Sequence, residues 1–132
     1  MVFVDSNIFL DLAIKGSPWQ GRCVDALHKA AEQWRLVFNP VVYAEVSIAF
    51  GDARSTDAFF HAIDAHMLEM PRAALVAAGQ AFVAYRRAGG ARASTLPDFF
   101  IGAHALVLGA PLLTRDEGRF ARYFPSLVLL RP

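Results

Sequence analysis

Short, uninterrupted apolar runs alternate along the chain with longer stretches whose apolar residues recur at helical spacing. VFV at 2–4 is β-branched and aromatic, and reads as a strand buried on both faces. Residues 7–13 read as a short helix, and 20–34 as a longer one carrying Cys23, Leu27, Ala31 and Trp34 on one face. RLVFN at 35–39 is a second strand, and Pro40 suits the first turn of a helix that runs to about Phe50 and stops at Gly51. Ser55 or Thr56 is expected to cap a helix to about His66, followed by a third strand, MLEM, at 67–70. Pro71 opens a long helix to about Arg87, and Gly89 and Gly90 begin a loop. Ser94 or Thr95 is expected to cap a helix through Leu108. A strand at 111–114, a short helix at 117–123 and a last strand at 126–130 complete the chain.

Strands alternating with helices predict an α/β architecture with a mainly parallel sheet. Strands that lack polar alternation fit a sheet covered on both faces. There is no internal repeat, low-complexity tract or linker, so residues 1–132 are expected to form one domain. In open parallel sheets ligands bind beyond the carboxyl ends of the strands, which is where this chain changes character.

At those junctions stand single carboxylates. Asp5 follows the first strand in FVDSN, Asp116 follows the fourth in LLTRDEG, and Asp98 opens a helix in LPDFFIG. Each has an ordinary explanation as a helix cap or a first-turn acid. Glu45 is different: its helical neighbours are Val41, Val42, Ile48 and Ala49, and a carboxylate on so apolar a surface calls for a partner or a metal. If the first and fourth strands are neighbours, all four acids meet at one edge of the sheet. Clustered carboxylates repel and raise one another's pKa values unless a cation intervenes. Hard oxygen ligands of this kind suit Mg²⁺ or Mn²⁺, and two such ions can clamp the attacking and leaving oxygens of a phosphodiester. Asn7 and Thr114, each two residues from a carboxylate, are candidates to orient a ligand. The four histidines show no ligand spacing, and His104, in an apolar helix, is expected to be a satisfied core residue.

Composition adds three points. Apolar residues make up 55% and charged residues 19%, which indicates a well-packed globular domain. The net charge of +1 gives no overall steering toward nucleic acid, yet eleven of the thirteen basic residues are arginines, whose planar fork suits phosphate. Cys23 is the single cysteine, so no internal disulfide forms. Without a signal-peptide pattern or a bilayer-length apolar run, the expected location is the cytoplasm.

FVDSNIFLD, AEV, LPDFFIGAHA and LLTRDEGRF, in this order and spacing, resemble the PIN-domain nucleases, and most of all the VapC toxins of toxin–antitoxin pairs. The resemblance covers nearly the whole chain. It implies a three-layer α/β/α sandwich around a mainly parallel sheet of four to five strands. It implies Mg²⁺ or Mn²⁺ held by an acidic quartet that maps onto Asp5, Glu45, Asp98 and Asp116, with polar positions at Asn7 and Thr114. It implies a metal-dependent endoribonuclease that cleaves tRNA or rRNA, leaving a 5′-phosphate and a 3′-hydroxyl. A cognate antitoxin would block the site, and the toxin would form a homodimer.

An acidic pocket repels RNA, so basic residues must hold the backbone. The candidates are Arg86, Arg87 and Arg92 around the glycine loop, and Arg115, Arg119 and Arg122 near Asp116, with Arg115 foremost. Phe59, Phe60, Phe82 and Tyr85 are either core or the lining of a groove for a partner helix. A receiver domain is excluded by the lack of any lysine after Lys29, and a DxD-type phosphatase by Asn7 two residues past Asp5. Two other readings stand beside the toxin: a non-catalytic scaffold binding RNA or antitoxin, and a PIN nuclease of RNA maturation or decay.

Overall fold

The computed structural model describes residues 1–90 and 96–132. β1 (Val2–Val4) is fully buried, as its apolar run requires. Asp5 then caps α1 (Ser6–Ala13), its carboxylate accepting from the Ser6 amide. α2 (Gln20–Ala31) ends three residues before the expected boundary, because the chain tightens into a turn in which the Gln33 and Trp34 amides both bond to the Ala30 carbonyl. β2 (Leu36–Phe38) leads into α3 (Pro40–Phe50), which has proline in its first turn, the Asn39 side chain as cap, and Gly51 at φ 84° as its stop. That left-handed conformation costs glycine little.

α4 (Ala53–Ala62) is capped one turn earlier than expected. Asp52, and not Ser55 or Thr56, accepts from the Ser55 amide, while the Thr56 hydroxyl donates to the Asp52 carbonyl. β3 (Ala65–Met67) likewise begins before the expected MLEM run. Asp64, at φ 52°, reverses the chain directly into the strand, and pairing with β2 fixes the register at Leu36↔Ala65 and Phe38↔Met67. α5 (Arg72–Arg87), α6 (Leu96–Leu108), β4 (Leu112–Leu113), α7 (Glu117–Tyr123) and β5 (Leu129–Leu130) follow. The expected caps at Ser94 and Thr95 lie outside the described residues.

All five strands are parallel, in the order β3-β2-β1-β4-β5. The connections from β1 through β3 move one way across the sheet, and those from β3 through β5 move the other way. Right-handed crossovers therefore put α1–α4 on one face and α5–α7 on the opposite face, an α/β/α sandwich. The order reverses between β1 and β4, so the switch-point crevice where such sheets bind ligands opens there. No described helix is long and apolar enough to cross a membrane.

The core on one face is aromatic, with Phe9, Phe38 and Phe60 in contact, and Phe38 and Phe60 stacked at 3.9 Å. Phe59, Phe82 and Tyr85 are half-buried against the core, and Phe60 is buried but also borders an open surface cavity with Tyr43, Asp57 and Met67. On the other face Phe99 meets Phe82, Tyr85, Tyr123 and Phe124. Here α6 needs a residue without a side chain: a Cβ on Gly102 would lie 2.5 Å from the Phe124 ring and 3.1 Å from Phe120. Both rings are almost fully buried and have no room to retreat. Alanine normally favours a helix over glycine by ~1 kcal/mol, but overpacking a tight core costs ~1–3 kcal/mol. Gly102→Ala is therefore expected to lower the urea midpoint, whereas Gly79→Ala, where a Cβ meets nothing, should leave it unchanged or raise it. Equal stabilisation by both substitutions would contradict this packing.

Candidate active site

The ladder between β1 and β4 runs on into the site. The Asp5 amide donates to the Leu113 carbonyl at 3.0 Å, and the Thr114 amide donates to the Leu130 carbonyl at 3.0 Å. Asp5 and Thr114 are therefore fixed side by side as the two chains leave the sheet, and both are buried. The Thr114 hydroxyl donates to Asp5 Oδ2 at 2.7 Å, which spends its single proton. Its lone pairs accept from the Asp116 amide at 3.0 Å and from Asn7 Nδ2 at 3.4 Å. The other side of the Asn7 amide accepts from the Arg115 amide at 3.3 Å. Asn7 and Thr114 thus tie the loop after β4 to the start of α1.

Asp5 Oδ1 accepts from the Ser6 amide at 2.7 Å. The Ser6 hydroxyl is 3.4 Å from that oxygen but 3.0 Å from Glu45 Oε1, so its one proton serves Glu45. Ser6 is the link between Asp5 and Glu45 and was not foreseen from the sequence; its only signal is a hydroxyl between two marked residues in DSN. Glu45 is half-buried on α3, although the apolar neighbour Ile48 is 83% exposed. Val42, one turn earlier on the same helix, is buried, and α3 packs there against both α1 and α6. Asp98, in the first turn of α6, forms an ion pair with Arg119 of α7. Asp116 occupies the cap position of α7 but makes no side-chain capping bond, and it is exposed.

Burial and mutual repulsion act on these acids together. Asp5 is pushed up to about 7, mainly by burial, with the charges of Asp98 and Glu45 adding to the rise and the bonds from Thr114 and Ser6 opposing it. Glu45 is raised by burial, against the Ser6 bond, and further by Asp98. Asp98 is raised by burial; the Arg119 contact opposes this and the charge of Asp116 adds to it. All four carboxylates thus belong to one electrostatic neighbourhood. Among the described residues, however, no three His, Cys, Asp or Glu side chains are gathered closely enough to enclose a metal ion. The donor set still fits a hard divalent cation: it consists of mutually repelling carboxylates alone, buried at Asp5, half-buried at Glu45 and Asp98, and exposed at Asp116.

The arginines divide by environment. Arg115 Nε lies 2.9 Å from Asp11 of α1, and its guanidinium sits 5.1 Å from the centre of the Trp19 ring. Arg119 is engaged by Asp98. Arg86 and Arg87 are exposed at the end of α5, Arg122 stacks on Tyr123, and Arg92 lies outside the described residues. Glu117, next to Asp116, pairs with Arg131. His104 is buried against Phe3, with Nδ1 3.3 Å from Asn39 Nδ2, and among the described residues its Nε2 meets no hydrogen-bond partner.

The sequence matches the family described as PIN domain over residues 2–124. No curated protein matches it. Among solved structures, it superposes on VapBC2 from Rickettsia felis bound to a promoter DNA fragment with a TM-score of 0.77 at 17% identity, covering 100% of this chain and 99% of that one. VapBC-1 from nontypeable Haemophilus influenzae gives 0.74 at 22% identity, covering 99% and 98%. VapC20 from Mycobacterium tuberculosis, a sarcin–ricin loop cleaving toxin, gives 0.65 at 17% identity, covering 100% of both chains. At such identities the likeness is one of fold.

The raised Asp5 pKa has a consequence for stability. The folded state holds this proton up to about pH 7, whereas the unfolded chain releases it near its ordinary value of 3.8. Between those values the folded state binds more protons, so stability falls as pH rises. In metal-free buffer the urea midpoint is expected to be higher at about pH 5 than at about pH 8, with Asp5 contributing up to about 4 kcal/mol. Asp5→Asn should flatten this slope. A parent profile that rises from pH 5 to pH 8, or one that Asp5→Asn leaves unchanged, would contradict the assignment.

Proposed function

The chain belongs to the PIN-domain family, and from that premise we propose that it is a metal-dependent endoribonuclease and the toxin of a toxin–antitoxin pair. The observation that carries this reading is the set of four carboxylates at the β1/β4 switch point, with Asp5 raised to about 7 by burial and by its acidic neighbours. Asp5, Glu45, Asp98 and Asp116 would hold Mg²⁺ or Mn²⁺. When bound, the cation supplies charge neutralisation on the phosphodiester and an activated water.

The chain's own residues do the rest. Thr114 holds Asp5 Oδ2, Ser6 holds Glu45, and Asn7 fixes the loop that carries Asp116, so the acids are oriented before substrate arrives. Arg119 pairs with Asp98, and on RNA binding its guanidinium would take a backbone phosphate instead. Arg86 and Arg87 add positive charge at the end of α5 for phosphate contacts. Structured tRNA or rRNA is the substrate class, and the likeness to a sarcin–ricin loop cleaving toxin favours rRNA among the first to test. The antitoxin partner is inferred from the VapBC complexes among the structural neighbours. A homodimer is in keeping with the exposed apolar positions Leu75, Val76 and Val83 on α5.

Purified protein, freed of any antitoxin, is expected to cut total tRNA or rRNA into discrete fragments with Mg²⁺ or Mn²⁺ and to be silent in EDTA. Asp5→Asn and Asp98→Asn should each lose on the order of 10²-fold or more in rate. Thr114→Val, which removes only the orienting hydroxyl, should lose about 10- to 100-fold. Cleavage that survives EDTA, or carboxylate variants that cut at the parental rate, would refute the reading.

A further inference from the structure

Asp11 is buried at 7% exposure on α1, one turn beyond Asn7. A carboxylate at that depth needs partners, and Asp11 has three among the described residues. The Ser17 hydroxyl donates at 2.7 Å, the Cys23 thiol lies at 3.8 Å, and Arg115 Nε approaches to 2.9 Å. Two of these come from the α1–α2 connection and from α2, while Arg115 comes from the loop after β4. The guanidinium of Arg115 is further held against Trp19. The backbone of the same residue is held separately, by the Asn7 side chain at 3.3 Å. Asn7 and Asp11 stand four apart on one face of α1, so a single helix face grips Arg115 at its amide and at its side chain.

Arg115 stands between Thr114, which bonds Asp5, and Asp116, whose side chain makes no capping bond to α7. We propose that Asp11 is a positioning residue: through Arg115 it clamps the β4–α7 loop to α1 and so sets where the Asp116 carboxylate stands relative to Asp5 and Asp98. Arg115 is then a strut of the site and not chiefly a contact for RNA phosphate. The importance of Asp116 rests on the nuclease reading, but the clamp itself does not.

The test compares Asp11→Asn, Arg115→Gln and the double variant with the parent, all confirmed as folded by circular dichroism. Arg22→Gln serves as control, since it removes the other guanidinium over Trp19 without touching Asp11. Amide hydrogen exchange reads the loop directly, and Mn²⁺ affinity is read from the electron-spin resonance of free Mn²⁺. Asp11→Asn should speed exchange at the Arg115 and Asp116 amides about tenfold or more while leaving β1 and β2 protected. It should weaken Mn²⁺ binding about 10- to 100-fold. Arg115→Gln should match it, and the double variant should be no worse than either single one, because the two act as a unit. The control should resemble the parent. Additive losses, unchanged loop exchange in Asp11→Asn, or an Arg115→Gln variant that loses RNA affinity while its loop stays protected would each overturn the proposal. If the parent itself binds no Mn²⁺, the nuclease reading fails, and faster loop exchange in Asp11→Asn alone would still uphold the clamp.

Discussion

The parallel pairing of β1 with β4 is the constraint on which the rest of the site depends. It is short, with registers at Phe3↔Leu112 and Val4↔Leu113, but it joins the first strand to one more than a hundred residues later. It also marks the reversal of strand order, so the two chains diverge to opposite faces as they leave the sheet. The gap between them is where Asp5 and Thr114 meet, and the Asp5 amide on the Leu113 carbonyl carries the ladder to the lip of the crevice. A one-residue slip would turn Asp5 to the other face of the sheet and separate it from Thr114.

The site built on that pairing is under electrostatic tension. Burial and like charge raise Asp5, Glu45 and Asp98 together, while hydroxyl and amide donors pull each back only in part. A core selected for stability alone would not place these acids within reach of one another. The arrangement makes physical sense as a place prepared for positive charge. Arg119 supplies some of that charge at Asp98, and a divalent cation would supply more. The surrounding donors, Ser6, Asn7 and Thr114, are neutral, so they orient the carboxylates without cancelling their charge.

Much of this layout is legible in the sequence, for identifiable reasons. Strands buried on both faces are uninterrupted apolar runs, so Asp5 and Asp116 stand out as the first acids beyond 2–4 and 111–114. Pro40, Gly51 and Pro71 mark helix ends because their backbone restrictions are local. Where the sequence misleads, partners distant in the chain decide the outcome. MLEM looks like a strand, yet pairing with β2 begins at Ala65 once Asp64 has turned the chain. Glu45 seems to lie on an apolar face of its own helix, but Ile48 is open to solvent and the hydroxyl that binds Glu45 is that of Ser6, 39 residues away. Arg115 looks like a free basic residue beside a carboxylate, while its ion pair with Asp11 joins segments that no local pattern connects. His104 reads as a satisfied core residue, yet among the described residues only one of its ring nitrogens finds a partner.

The central claim is that the raised Asp5 and its neighbours form one site for a divalent cation. Isothermal calorimetry of Mn²⁺ binding at about pH 6.5, repeated in buffers of different ionisation enthalpy, tests it most directly. Since Asp5 is raised to about 7, a good part of the protein carries the extra proton at that pH. Binding should therefore expel it, with a release approaching one proton per ion that fades by about pH 8.5 and disappears in Asp5→Asn. Mn²⁺ binding without proton release, or release that persists in Asp5→Asn, would show that the cation does not sit at Asp5 and its acidic neighbours.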